Sequence, residues 1–201
     1  MTVPEIAPDL MSDLILASAS PRRLELLARL GVSPARVIAT DIDESPLARE
    51  IPRAHAVRLA AEKARAAQSS NSGAVVLAGD TVVGLGRRIL PKAEDEATAR
   101  HCLTLLSGRR HRVFSAIAVI DAAGTLREAL SETIVRFKAL TEQEIAAYLA
   151  SGEWHGKAGG YAIQGSAEGF CAWLAGSHSG VVGLPLYETR RLLRAAGLRI
   201  A

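Results

Sequence analysis

Leu14-Ile15-Leu16-Ala17-Ser18-Ala19-Ser20-Pro21-Arg22-Arg23 decides the fold. Four apolar residues in succession read as a buried strand that runs directly into a turn and a helix. Ser20 is placed to cap a helix, and Pro21 sits where a missing N–H does no harm. Leu24, Leu27 and Ala28 then form the expected inward face, with Leu30 near the end and Gly31 as the stop. The turn between strand and helix gathers a hydroxyl, helix N-terminal amides and two guanidinium groups, all suited to an anion.

Working outward, Val75-Val76-Leu77-Ala78 predicts a second buried strand ending at Gly79-Asp80-Thr81, with a further strand through Thr81-Val82-Val83. Between these strands lie a short one at 36–39, an acidic loop at Asp41-Ile42-Asp43-Glu44, and a helix from His55 to Gln68 with Lys63 near its buried stripe. A hairpin-like turn at Gly84 and Gly86 returns the chain through Ile89-Leu90-Pro91-Lys92. Glu94–Leu106 reads as a helix, Arg112–Asp121 and Leu130–Phe137 as an antiparallel pair, and Thr141 with Glu144 as a capping box. The stretch 152–183 is rich in glycine, but it also holds Trp154, Tyr161, Ile163, Phe170 and Trp173 and is therefore expected to be ordered. Pro185 opens a last helix. Helices alternating with strands, some of them joined by hairpins, predict an α/β protein with a mixed sheet and flanking helices.

The chain has 201 residues, enough for one domain or two small lobes around a cleft. A formal charge of +3, interleaved signs and few aromatics argue against a nucleic-acid platform. Cys102 and Cys171 read as small buried hydrophobes, and the scattered histidines lack zinc spacing. With no long apolar span and no leader-like segment, a cytoplasmic location without membrane attachment is expected.

The residues that carry chemistry fall into two groups. Ser18, Arg22 and Arg23 suit phosphate oxygens, and no Gly-x-x-x-x-Gly-Lys-Ser/Thr loop is present. Asp80, following an apolar strand, either caps a turn or orients a water or a cation, and Glu44 either faces solvent or completes a cation site with it. Lys63 and Lys92 can place point charge on a polyphosphate. Gln164 has both an amide donor and an acceptor, so it can read a base edge or bridge a tight loop, and Thr81 has a similar choice.

At these positions the chain resembles the Maf family of nucleoside triphosphate pyrophosphatases. The resemblance rests on Leu16-Ala17-Ser18-Ala19-Ser20-Pro21-Arg22-Arg23, Glu44, Glu62-Lys63-Ala64 and Ala78-Gly79-Asp80-Thr81-Val82-Val83. It continues through Leu90-Pro91-Lys92-Ala93, Leu105-Leu106-Ser107-Gly108, Lys157-Ala158-Gly159-Gly160-Tyr161-Ala162-Ile163-Gln164-Gly165 and Val181-Val182-Gly183-Leu184-Pro185-Leu186. It implies an elongated, two-lobed Maf/ITPase-like catalytic domain over 13–201 with a central cleft, preceded by an extension at 1–12. It also implies hydrolysis of a nucleoside triphosphate to the monophosphate and pyrophosphate by a homodimer using Mg²⁺ or Mn²⁺. Asp80 then matches the proton acceptor. Lys63, Lys92 and Glu44 match supporting catalytic positions, and Glu44 with Asp80 the metal site. Ser18, Arg22 and Arg23 match phosphate grips, and Arg22, Thr81 and Gln164 the positions that set specificity. The Gly160–Gly165 run resembles the branch acting on dTTP and UTP; ITP, XTP or 7-methyl-GTP cleavage and a weakly active regulator of septum formation are the alternatives. Gly156 departs from the family pattern, which has Asp there.

Overall fold

The computed structural model describes residues 14–200, so the expected extension at 1–12 lies outside the described residues. The chain runs β1 (Leu14–Ala17), α1 (Pro21–Ala28), β2 (Arg36–Ile38), α2 (Pro52–Ser69), β3 (Val75–Leu85), β4 (Arg88–Leu90) and β5 (Lys92–Ala93). It continues through α3 (Glu96–Leu106), β6 (Arg110–Ile120), β7 (Leu126–Phe137), α4 (Glu142–Ser151) and β8 (Lys157–Ala158). After a 3₁₀ helix at Ser166–Phe170 come β9 (Cys171–Ala175), α5 (His178–Val182) and α6 (Leu186–Ala195).

The main sheet has the order β2-β1-β3-β6-β7-β9, with β4 paired to β3. β1 is parallel to both β2 and β3, whereas β3, β6, β7 and β9 are antiparallel. The sheet is therefore mixed, as expected. One difference concerns β3. The expected break at Gly79-Asp80 does not occur, and one strand of 11 residues runs through it. Gly79 stays in register opposite Ile117 and Asp80 opposite Ala116, so the ladder hydrogen bonds continue past the charged residue. A Cβ at Gly79 would lie 3.1 Å from the Ala116 carbonyl oxygen, so the glycine permits this close approach.

This continuity builds the two lobes. A strand of this length spans roughly 36 Å at ~3.3 Å per residue, enough to cross two cores. In the first lobe, Val75 and Leu77 pack beneath Leu26 and Leu27 of α1 and Leu192 and Leu193 of α6. Val76 and Ala78, on the opposite face, pack on the alanine stripe of α2, from Ala56 to Ala67. At the far end of the strand, Val83 joins Val113, Val135, α3 and α4 in the second lobe. Asp80 lies midway along the strand, between the two cores, and is itself buried.

Local signals account for α3 and α4, and α1 departs from expectation in its cap and in its buried face. Thr141 and Glu144 form the reciprocal capping box, and Asp95 caps α3 through the Thr98 amide. Ser20 stands at the N-cap of α1 but makes no side-chain cap bond; its own amide donates to the Ser18 hydroxyl at 3.2 Å. The inward face of α1 is Arg23, Leu26 and Leu27; Leu24 and Ala28 point to solvent. A 100° turn per residue places 23, 26 and 27 on one stripe, and of the two buried members that the expectation missed, Arg23 and Leu26, one is an arginine.

Candidate active site

All nine residues singled out from the sequence line one cleft of about 410 Å³ at the junction of the lobes. The β1–α1 turn brings Ser18, Arg22 and Arg23, while the loop between β2 and α2 brings Glu44. α2 brings Lys63, β3 brings Asp80 and Thr81, β5 brings Lys92, and the glycine-rich stretch brings Gln164.

The carboxylates are tied together by lysine. Lys63 is buried and donates to Asp80 Oδ1 at 2.7 Å and lies 2.7 Å from Glu44 Oε1. Lys92 pairs with the other Glu44 oxygen, Oε2. Burial alone would raise the Glu44 carboxyl, but hydrogen bonds and charge from Lys63 and Lys92 outweigh it and hold the carboxyl at about 2. Glu44 is thus a carboxylate throughout the physiological range. One Asp80 oxygen is engaged by Lys63, which fixes the group's orientation and leaves the second oxygen for other partners.

Arg22 and Arg23 are neighbours in sequence with different surroundings. Arg23 is buried and bolted to the protein. Its Nε donates to the Gly183 carbonyl at 2.8 Å, Nη1 to the Ser18 hydroxyl at 3.1 Å and Nη2 to the Thr81 hydroxyl at 3.4 Å. It joins the β1–α1 turn, β3 and the start of the last helical region. Burial lowers its pKa, and the charges of Asp80 and Glu44 oppose that shift. Arg22, half-buried, makes no hydrogen bond or ion pair among the described residues, and its Nε is buried without a partner. Burial, and then the charge of Arg23, lowers its pKa. The Thr81 hydroxyl also shares a bond of 3.2 Å with Ser115, so its direction is set from two sides. Gln164 is exposed at the cleft.

The cleft includes residues that sequence reasoning did not single out as functional, chiefly Glu94, His155 and Lys157. Gly156 has a φ of 66° and open space where a side chain would stand. Gly159, with a φ of 67°, lets the backbone approach β3 so closely that a Cβ there would lie 2.9 Å from Val83 Cγ1. That approach seats the β5–β8 ribbon, in which Lys92 faces Ala158 and Ala93 faces Lys157, at the cleft. A second cavity of about 270 Å³ shares the wall formed by Glu44, Asp80, Thr81, Lys92 and Ala158 and is otherwise mostly apolar.

Other chemistries find no support in these surroundings. Burial pushes both the Cys102 and Cys171 thiols up to about 11, with Glu168 adding to the effect at Cys171, so neither is a ready thiolate. Among the described residues no group of three or more His, Cys, Asp and Glu side chains could hold a metal by itself. Both Glu44 oxygens and one Asp80 oxygen are engaged by lysines, so a hard cation held here would share these carboxylates with Lys63 and Lys92 and take its remaining ligands from water and phosphate oxygens, as Mg²⁺ does. No helix among the described residues is long and apolar enough to cross a membrane.

Five cationic and three carboxylate side chains face one cleft between two α/β lobes, which defines a protein shaped to receive a polyanion. The chain belongs to the Maf family, whose profile, described as Maf-like protein, matches residues 13–196. The dTTP/UTP pyrophosphatase of Novosphingobium aromaticivorans is 81% identical over 94% of each chain. The protein of the same name from Rhodospirillum rubrum is 58% identical, covering 92% of this chain and 89% of its own. That from Zymomonas mobilis is 59% identical over 94% of each. A nucleoside-triphosphatase/dITP/XTP pyrophosphatase structure from Mycobacterium abscessus is 19% identical, covers 62% of this chain and 72% of its own, and superposes with a TM-score of 0.41.

Proposed function

We propose that this protein hydrolyses dTTP and UTP to the nucleoside monophosphate and pyrophosphate. The observation that carries the reading is the lysine-bridged pair Asp80 and Glu44 facing a cation-rich cleft wall, in a chain 81% identical to a protein of that named activity. Asp80 accepts a proton from the attacking water, using the carboxylate oxygen that Lys63 leaves available. The water oxygen bonds to the α-phosphorus, the bond from that phosphorus to the bridging oxygen breaks, and pyrophosphate leaves with the electron pair. Lys63 and Lys92 stabilise charge on the phosphate oxygens. Ser18 and the helix N-terminus hold one end of the chain of phosphates, and Arg23 keeps Ser18 and Thr81 in place while its remaining N–H groups face the same site.

Glu44 and Asp80 would hold a Mg²⁺ or Mn²⁺ ion, which supplies charge neutralisation for the triphosphate. Gln164, exposed at the cleft, reads the mixed donor–acceptor edge of uracil or thymine, with Thr81 shaping the same choice, while Arg22, which the resemblance offers both as phosphate grip and as specificity residue, serves the phosphates. The resemblance to the family alone supports a cytoplasmic homodimer; sedimentation at assay concentration checks the dimer.

A panel of triphosphates assayed with and without Mg²⁺ tests the function. The expected result is pyrophosphate release fastest from dTTP and UTP and dependent on the cation. A clear preference for ITP, XTP or 7-methyl-GTP overturns the substrate. Failure of the purified protein to turn over any triphosphate favours a nucleotide-binding regulator instead.

A further inference from the structure

The five cations of the cleft are not equivalent. Lys63 and Lys92 are paired with carboxylates, and Arg23 is held by a carbonyl and two hydroxyls. Arg22 and Lys157 remain. Among the described residues neither forms an ion pair with a carboxylate. Arg22 keeps a buried Nε without an acceptor, and Lys157 has only the His155 carbonyl, at 2.7 Å. They come from opposite sides of the cleft, Arg22 from α1 of the first lobe and Lys157 from the ribbon that packs on the second.

We infer that Lys157 is a phosphate ligand that works with Arg22 across the cleft to hold the pyrophosphate end of the triphosphate. This rests on the pyrophosphatase reading above. Two cations facing one cleft without carboxylate partners form a site completed by an anion, and a phosphate chain can reach both. The two groups also feel each other. Lys157 is lowered first by burial and then by the charge of Arg22, with Glu153 and Glu94 opposing that shift. An anion between them removes the repulsion.

The end of the substrate follows from the ion pairs. Lys63 pairs with Asp80 and Glu44, and Lys92 with Glu44, whereas Arg22 and Lys157, in the same cleft, pair with neither carboxylate. The reacting phosphorus belongs beside the carboxylates, and the outer phosphates belong beside the pair set away from them. Gly156, just before Lys157, has no side chain to cover the ammonium group, and no atom stands within 4 Å of where one would begin.

Calorimetric titration with inorganic pyrophosphate and, separately, with dTMP tests this in wild type, Lys157→Gln, Lys157→Arg and Arg22→Gln. The expected result is a loss of pyrophosphate affinity of about 10- to 100-fold in Lys157→Gln and Arg22→Gln. Affinity for dTMP stays within about twofold, and Lys157→Arg restores most of the loss, as expected where charge is the requirement. Lys157 bonds only to backbone, so unchanged thermal unfolding of Lys157→Gln separates ligand loss from misfolding. Unchanged pyrophosphate affinity in Lys157→Gln, an equal fall for dTMP, or a wild type that does not bind pyrophosphate overturns the inference. The pyrophosphatase reading fails on a different observation, the release of orthophosphate from dTTP by the wild type.

Discussion

Lys63→Met tests the junction on which the site is built. Methionine approximates the length of lysine, so the substitution removes the charge and the hydrogen bonds while filling most of the space. Asp80 is 3% exposed and loses its 2.7 Å partner. Stranding one member of a buried pair costs about 3–5 kcal/mol. Glu44 is more open and keeps Lys92, so its share adds at most ~1 kcal/mol. A protein of this size loses about 2–4 °C of Tm per kcal/mol, so a loss near 4 kcal/mol lowers Tm by roughly 8–16 °C. The pH dependence gives an independent sign. The Glu44 carboxyl is depressed from 4.5 to about 2 in the folded protein. Its contribution is therefore present above 4.5 and lost as pH falls from there through about 2. With Lys63 gone, the folded value moves back towards 4.5 and the slope of stability against pH in that window shrinks. Urea unfolding followed by circular dichroism from pH 3 to pH 7 measures both. An unchanged midpoint at pH 7 together with an unchanged acid slope refutes the ion-pair account of the cleft.

Three other substitutions separate roles within the site. Asp80→Asn removes the proton acceptor and is expected to lower kcat about 10²- to 10⁴-fold while nucleotide still binds; steady-state kinetics with a parallel binding titration checks this. Gln164→Ala is expected to reduce kcat/KM for dTTP and UTP by about 1–3 kcal/mol and to spare a triphosphate with a poorly recognised base; an equal fall for all bases makes the amide structural. Arg58 grips the segment that delivers Glu44, donating to both Glu50 oxygens at 2.8 and 2.9 Å and to the Ser45 carbonyl at 3.0 Å. Arg58→Ala is expected to speed trypsin cleavage within 39–51, where Arg49 lies, and to leave the global Tm within a few degrees of wild type; unchanged cleavage shows that Arg58 does not hold the segment.

Much of this site was legible because its local signals are strong. An apolar run stopped by Ser-Ala-Ser-Pro identifies a strand, a turn and a helix start, and the Thr141/Glu144 pair announces its helix. β3 was harder, since Asp80 inside a buried strand is tolerated only because Lys63, on another element, lies 2.7 Å away. No window around position 80 contains that fact. Arg23 escaped as a structural bolt for the same reason, its acceptor at Gly183 being 160 residues distant. Lys157 was quoted within a motif and given no role. Its lack of a carboxylate partner is a property of the assembled cleft, and its two-residue strand is too short to show a period.

The most direct test of the central claim is to hydrolyse dTTP in water enriched in ¹⁸O, with Mg²⁺ present, and to locate the label by mass spectrometry. Water activated by Asp80 and directed at the α-phosphorus places one ¹⁸O in dTMP and leaves pyrophosphate unlabelled. Label in the pyrophosphate contradicts the account, because it requires attack at the β-phosphorus.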